Sequence, residues 1–119
     1  MAADMFLTID DIKGESQDSA FRERIELISW NWGLSQGGSA HSGTGAGSGK
    51  VSARDISFIK LTDRSTPQLM KLCCSGKHFT KAVLTVRKAG EKPLNYVVLE
   101  LFDGLVSSVA ISSAKRSGE

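Results

Sequence analysis

Cysteine, proline, histidine and tyrosine are all scarce in this 119-residue chain, which holds two cysteines, two prolines, two histidines and one tyrosine. The two cysteines, Cys73 and Cys74, are adjacent. Neighbouring side chains in a helix point about 100° apart, so a disulfide between these two is disfavoured. No disulfide framework is therefore expected.

A long apolar run is also absent near the start, because Asp10, Asp11 and Lys13 interrupt the opening strand-like residues. We therefore expect no signal peptide, no transmembrane helix and no membrane partner. The net charge of only +2 argues against a nucleic-acid partner. Length and the balance of 40% hydrophobic to 24% charged residues are typical of one soluble domain over residues 1–119.

Alternation of apolar and polar residues predicts mostly short strands. In residues 24–36 the alternation changes parity once, which predicts one strand with a β-bulge. Trp30 and Trp32 would then share a core face, and Ser29 and Asn31 would point the other way. Further strands are predicted in residues 5–12 and 51–61, and an antiparallel hairpin in residues 81–112.

One helix is predicted over about residues 66–75, with Thr66 as the N-cap, Pro67 in the first turn and Gly76 as the C-terminal left-handed residue. The fold class is therefore mainly β, a small antiparallel β-barrel or two-sheet sandwich with one short flanking α-helix. The predicted core residues are Leu7, Ile9, Ile28, Trp30, Trp32, Phe58, Leu69, Leu72 and Val86.

Half of the 12 glycines lie in the stretch from Gly37 to Lys50, which joins two predicted strands. A P-loop would need glycine where Thr44 stands and serine or threonine where Val51 stands, so nucleotide binding is not expected. Two interpretations stay open on spacing alone: a surface excursion, or an arm of small residues that packs on a neighbouring subunit.

Catalytic and metal patterns are not met either. His41, His78, Cys73 and Cys74 lack the spacing of a zinc site, and Cys73 falls on the apolar stripe of the helix, where cysteine behaves as a small core residue. His78 is interpreted as part of a hydrogen-bonded turn after the helix. We expect no enzyme, no metal and no cofactor.

Four stretches in order, "DMFLTIDDIKGES", "SWNWGLSQ" before the glycine-rich residues, "DRSTPQLMKLCCSGKHF" and "KAVLTVRKAG", resemble the Hcp (haemolysin-coregulated protein) family of type VI secretion systems. The resemblance runs from about Asp4 to Ser113. It implies a β-barrel with a flanking helix, similar to phage tail-tube proteins, and a structural role without enzymatic activity.

The resemblance also implies partners. Six copies form a ring, rings stack into an inner tube within a contractile sheath, a spike protein sits at the tip, and effector proteins travel in the lumen. Such a protein starts in the cytoplasm and is secreted by contraction, without a signal peptide. A rival hypothesis is a secreted effector-binding carrier or chaperone that builds no tube.

On family grounds, residues 37–49 are expected to form an extended loop over the adjacent subunit, and Ser29 and Asn31 to face the lumen. Family members normally continue past "LVSSVAISS" with strands that close the barrel, which this chain is expected to lack. The predicted subunit-interface residues are Gly37, Gly38, His41, Gly43, Thr44, Gly45 and Gly47.

Overall fold

The computed structural model describes residues 3–37, 50–90 and 92–115. The strands are β1 (Ala3–Ile9), β2 (Ile25–Leu27), β3 (Ser29–Asn31), β4 (Leu34–Gln36), β5 (Val51–Ala53), β6 (Ser57–Ile59), β7 (Phe79–Lys88) and β8 (Leu94–Gly104), with helix α1 (Ser65–Ser75) between β6 and β7. All paired strands are antiparallel. The mainly-β fold class with one helix is confirmed, and over the described residues the strands form three open sheets rather than a closed barrel.

The larger of two compact units comprises residues 1–27 and 60–119. Its four-stranded sheet has the order β2-β1-β7-β8, which confirms the predicted hairpin of β7 and β8. Alternate residues of adjacent strands meet on one buried face, where Leu7 lies opposite Leu84 and Ile9 opposite Ala82. Burial of such a row is the main stabilising contribution available to a sheet of this size.

The smaller unit comprises residues 28–59 and holds two separate two-stranded sheets, β3 with β6 and β4 with β5. The single bulged strand predicted over residues 24–36 is therefore wrong. Three strands of three residues each replace it, and each pairs in a different sheet. The change of parity falls at Ile28, which lies between β2 and β3. Its N–H donates to the carbonyl of Ile59 at 2.7 Å.

The core lies in the larger unit, and this corrects part of the predicted set. Leu7, Ile9 and Val86 are buried as predicted. Ile28 and Trp32 are exposed, at 53% and 41%, because both flank a three-residue strand whose sheet has only one other strand. Four further predicted core residues are half-buried: Trp30, Phe58, Leu69 and Leu72.

Helix α1 begins one residue before the predicted start, so Thr66 is inside the first turn and is not the N-cap. Instead, the carboxylate of Asp63 accepts the N–H of Ser65 at 2.8 Å, and the hydroxyl of Thr66 accepts the N–H of Asp63 at 3.1 Å. This reciprocal pair satisfies donors that a helix start leaves free. The helix ends as predicted at Gly76, with φ 67° and an N–H that donates to Leu72.

Candidate assembly surfaces

Strands β3 and β6 place the predicted lumen residues on one face of a two-stranded sheet. Ser29 lies opposite Ile59 and Asn31 opposite Ser57, so these four residues share a side, while Trp30 and Phe58 share the other. Ser29 is half-buried and Asn31 is exposed. The structure therefore brings the two predicted residues together on a face that is mostly small and polar.

Arg54 adds a positive charge to this face, which sequence reasoning missed. Its Nη2 atom donates to Oδ1 of Asn31 at 3.5 Å, a long hydrogen bond. The backbone N–H of Arg54 donates to the carbonyl of Gly33 at 3.0 Å. The guanidinium lies so close to Gly33 that a Cβ atom there would be 2.5 Å from Nη2. Arg54 and Asn31 are 23 positions apart, so no local spacing could have paired them.

The glycine-rich stretch joins two strands that pair with each other. Strand β4 ends at Gln36, opposite Val51 of β5, and the N–H of Gly37 donates to the carbonyl of Lys50 at 3.3 Å. Gly37 is exposed. The other predicted interface residues, Gly38, His41, Gly43, Thr44, Gly45 and Gly47, lie outside the described residues.

The outer strand β8 carries exposed apolar side chains at alternate positions. We call this set the β8 apolar row: Leu94, Tyr96, Val98 and Phe102, of which Leu94 and Phe102 are 62% and 64% exposed. A bulge interrupts the pairing with β7, since Arg87 lies opposite Asn95 and Val86 opposite Val97, so Tyr96 has no direct partner.

A polar pair borders the β8 apolar row. Nζ of Lys81 lies 5.6 Å from the ring centre of Phe102 and forms a 3.0 Å ion pair with Glu100. The sequence analysis did not predict the exposure of this row, because a hairpin prediction concerns only the pairing of β8 with β7. A usable signal was present: Val97, Leu99 and Leu101 are apolar too, and a strand that is apolar at both parities is typical of one covered on both faces.

Arg87 fixes the opposite end of the larger unit's sheet to the segment between β1 and β2. Its guanidinium donates to both carboxylate oxygens of Asp18, at 2.9 and 2.6 Å, and to Asp4 at 2.9 Å. The rings of Phe6 and Phe21 stack at 4.5 Å, and the Arg87 guanidinium carbon lies 5.3 and 5.4 Å from their centres.

These contacts shift the pKa of both partners. The hydrogen bonds from Arg87 hold the pKa of Asp18 below its ordinary value, and those to Asp18 and then Asp4 raise the pKa of Arg87. Both shifts favour the charged forms of Asp18 and Arg87.

A second ionic cluster, beside the start of α1, depends on Asp63. Burial opposes the charged form of this carboxyl, yet hydrogen bonds from Ser65 and Lys60 bring its pKa below the ordinary value. Nζ of Lys60 lies 2.9 Å from Asp63 and 3.0 Å from the hydroxyl of Thr66. All these groups have structural partners, so the cluster secures the helix start.

The candidate catalytic and metal residues that the structure describes are His78, Cys73 and Cys74. His78 pairs through Nδ1 with Asp103 at 3.0 Å, a contact with the end of β8 that the turn interpretation did not include. Cys73 is half-buried and Cys74 exposed, and His41 lies outside the described residues. Within the described ranges, no three His, Cys, Asp or Glu side chains are grouped to hold a metal ion.

The described part of the chain also contains no helix long and apolar enough to cross a membrane.

Solved structures with a similar fold define the class of protein. To the crystal structure of Hcp1 from Salmonella typhimurium the chain is 40% identical with a TM-score of 0.82, covering 98% of this chain and 75% of that one. A type VI secretion system effector from Yersinia pestis is 31% identical with a TM-score of 0.78, covering 93% of this chain and 74% of that one. The fold is that of the type VI secretion proteins called Hcp.

Sequence comparison identifies the family. The family model described as "Type VI secretion system effector, Hcp" matches residues 6–119. The protein hcp1 of Pseudomonas aeruginosa is 52% identical over 111 residues, which are 92% of this chain and 68% of that protein. The chain belongs to the Hcp family of type VI secretion proteins, as the resemblance implied.

Proposed function

We propose that this protein is a non-enzymatic structural subunit of the type VI secretion inner tube. Six copies form a ring, and rings stack into a tube that carries effectors during contractile export. The observation that carries this proposal is the match to the Hcp family over residues 6–119.

The β8 apolar row supports association between copies. Four exposed apolar side chains on an outer strand are costly to leave in water, and such a surface supports a contact with another chain. One subunit presents β8, and the neighbour presents a different surface. Such a head-to-tail contact closes into a ring when the rotation between subunits fits a whole number of copies.

The glycine-rich stretch is the second proposed contact. It leaves from the paired ends of β4 and β5, at Gly37 and Lys50, so both of its ends are held by one hairpin. Its residues are too small to form a core of their own, which suits an arm packed against the backbone of an adjacent subunit.

The polar face of β3 and β6 is proposed to line the lumen. Ser29, Asn31 and Ser57 present small polar groups, and Arg54 adds a cation beside them. Such a surface offers hydrogen bonds to varied cargo without large apolar patches that would hold it permanently. The spike protein and the sheath are the proposed partners at the tip and around the tube.

Negative-stain imaging of the purified chain tests this function. Six-fold rings with an open centre are expected. Compact particles without a central opening would instead favour an effector carrier that builds no tube, and would contradict the proposal.

Variants test the roles of the glycine-rich stretch and of the polar face of β3 and β6 separately from folding. Valine at Gly43, Gly45 and Gly47 is expected to reduce ring formation while the circular dichroism spectrum is retained; Ser42→Ala with Ser48→Ala is the matched control within the same stretch. Ser29→Arg with Asn31→Arg is expected to leave rings intact and to reduce the effector protein recovered with them. Intact rings in the glycine variant would refute the interface role of that stretch.

A further inference from the structure

Over residues 28–37 and 50–59, the part of the smaller unit that the structure describes, there are hydrogen-bonded strands but no buried core. Every buried apolar residue of the described ranges belongs to the larger unit: Phe6, Leu7, Ile9, Ile25, Leu27, Phe79, Ala82, Leu84 and Val86. In residues 28–37 and 50–59, by contrast, the most protected side chains are half-buried. Several apolar ones are exposed, among them Leu34, Val51 and Ile59 at about 60% each.

The small size of its sheets also indicates that the smaller unit is less stable than the larger one. The smaller unit's sheets have two strands of three residues each, whereas the larger unit's sheet has four strands, two of which are 10 and 11 residues long. A two-stranded hairpin is marginally stable in water unless further strands or a helix cover one face. Free energies of opening differ between parts of one protein, and regions with few buried apolar groups open first.

We propose that the described strands of the smaller unit, within residues 28–37 and 50–59, form a separate unit of local unfolding, which opens in the free protomer while the larger unit stays folded, and which association with neighbouring copies closes. The second half rests on the proposed function, because it requires assembly. The first half requires only the unequal burial of the two units.

If the smaller unit opens in the free protomer, its folding is coupled to association between copies. The smaller unit carries Ser29, Asn31, Arg54 and both anchors of the glycine-rich stretch. In a free protomer that opens there, the lumen face and the two strand ends that anchor the glycine-rich stretch are not held in place. Binding to a neighbour must supply the free energy that orders them, so rings form from protomers whose contact surfaces become fixed only on contact.

The two tryptophans of the chain provide a direct probe, because Trp30 and Trp32 both lie in the smaller unit. Their fluorescence in increasing urea reports on that unit. Far-UV circular dichroism in the same samples reports mainly on the helix and the four-stranded sheet of the larger unit. Coincident transitions by two probes are the signature of a single cooperative unit.

The experiment follows both signals in urea at several protein concentrations. The proposal predicts that the tryptophan transition comes first, and that its midpoint rises with protein concentration as rings form. Two separate transitions without concentration dependence would support independent opening and contradict closure by assembly. Coincident transitions at every concentration would overturn the proposal, whether or not rings form.

Two matched variants assign the transitions to the units. Phe58→Ala removes the ring directly opposite Trp30 and is expected to lower only the tryptophan midpoint. Val86→Ala, in the core of the larger unit, is expected to lower the dichroism midpoint and to leave the earlier tryptophan transition in place. Equal shifts of both signals in both variants would show one cooperative unit and overturn the proposal.

Hydrogen exchange provides a readout that needs no substitution. Backbone amides of β3 and β6 are expected to exchange faster than those of β1 and β7 in dilute protein, and to gain protection in rings. Equal protection of the two sets in dilute protein would count against local opening.

Discussion

Arg87 joins two parts of the larger unit through a single side chain. It lies on β7, yet its partners are Asp4 at the start of β1 and Asp18 in the segment before β2. Since the guanidinium also covers Phe6 and Phe21, its removal costs packing as well as charge. The side chain is only 12% exposed, so water replaces its contacts poorly.

The pH dependence of stability should depend on this cluster. Because the pKa of Asp18 is lower in the folded state, its contribution is present above the unfolded pKa of about 4 and is lost as the pH falls through the folded value. Wild-type stability should therefore decrease as the pH falls below about 4, and Arg87→Met should weaken that decrease.

The control is Arg22→Met, which removes the same charge from an exposed position in the segment that holds Asp18. Urea midpoints measured across the acidic range give the comparison. If Arg87→Met and Arg22→Met show the same dependence on pH as the wild type, Arg87 does not set the acid response.

Gly14 has no room for a side chain. A Cβ atom there would lie 2.5 Å from the carbonyl oxygen of Arg24 and 2.6 Å from the Cα of Ile25. Both obstacles are backbone, so Gly14→Ala should lower the free energy of unfolding of the larger unit by about 1–3 kcal/mol.

Gly33→Ala is the control, since the atoms its Cβ would meet belong to the end of the Arg54 side chain and not to the backbone. The dichroism midpoint should be unchanged by Gly33→Ala and lowered by Gly14→Ala. Equal midpoints for the two variants would mean that the backbone around Gly14 relaxes without cost.

At the scale of elements, the sequence predicted best where the signals are local. Pro67 and Gly76 set the helix to within one residue, and the alternating residues of β7 and β8 indicated their hairpin. The division of residues 24–36 into three strands was not predictable in the same way. It depends on partners such as Ile59 and Ala53, which lie far along the chain.

The helix start was also misassigned for a physical reason. Thr66 has the residue type of an N-cap, but it lies inside the first turn, where its hydroxyl accepts from Asp63, and the Asp63 carboxylate accepts the N–H of Ser65. A charged acceptor forms the stronger hydrogen bond.

Asp63→Ala should therefore destabilise the helix start. The expected loss in free energy of unfolding is about 0.5–2 kcal/mol, the usual range for a removed helix cap. Thr62→Ala changes the exposed neighbouring residue and should have little effect. Thermal melts of the two variants provide the comparison, and an unchanged Asp63→Ala midpoint would contradict the capping role.

At the scale of the whole molecule, the β8 apolar row is a set of exposed apolar side chains that the pairing of β7 with β8 does not cover. A strand apolar at both parities is satisfied only when both faces are covered. The resemblance to the Hcp family predicted assembly, but it located the contact in residues 37–49. The row on β8 became evident only from the exposure of its side chains.

Charge placed in this row should prevent assembly without unfolding the protomer. Val98→Glu puts a carboxylate on an exposed position that is expected to be buried between copies. The dichroism midpoint should change little, while the mass in solution should fall. Glu100→Gln is the control on the same strand, because it removes only an exposed ion pair of small energetic value. Rings that persist in Val98→Glu would place the contact elsewhere.

The sequence predicted only part of the proposed assembly surface. Ser29 and Asn31 share the face that alternation assigned to them. Arg54 and the β8 apolar row were missed, since their significance depends on side chains brought together by pairing and on exposure in the folded chain. The role of the glycine-rich stretch stays a prediction.

The mass of the purified chain in solution tests the central claim most directly. Size-exclusion chromatography with light scattering should give six times the protomer mass, with a fraction of free protomer that grows on dilution. A protomer mass at every concentration would contradict the account, because a chain that stays single builds neither ring nor tube.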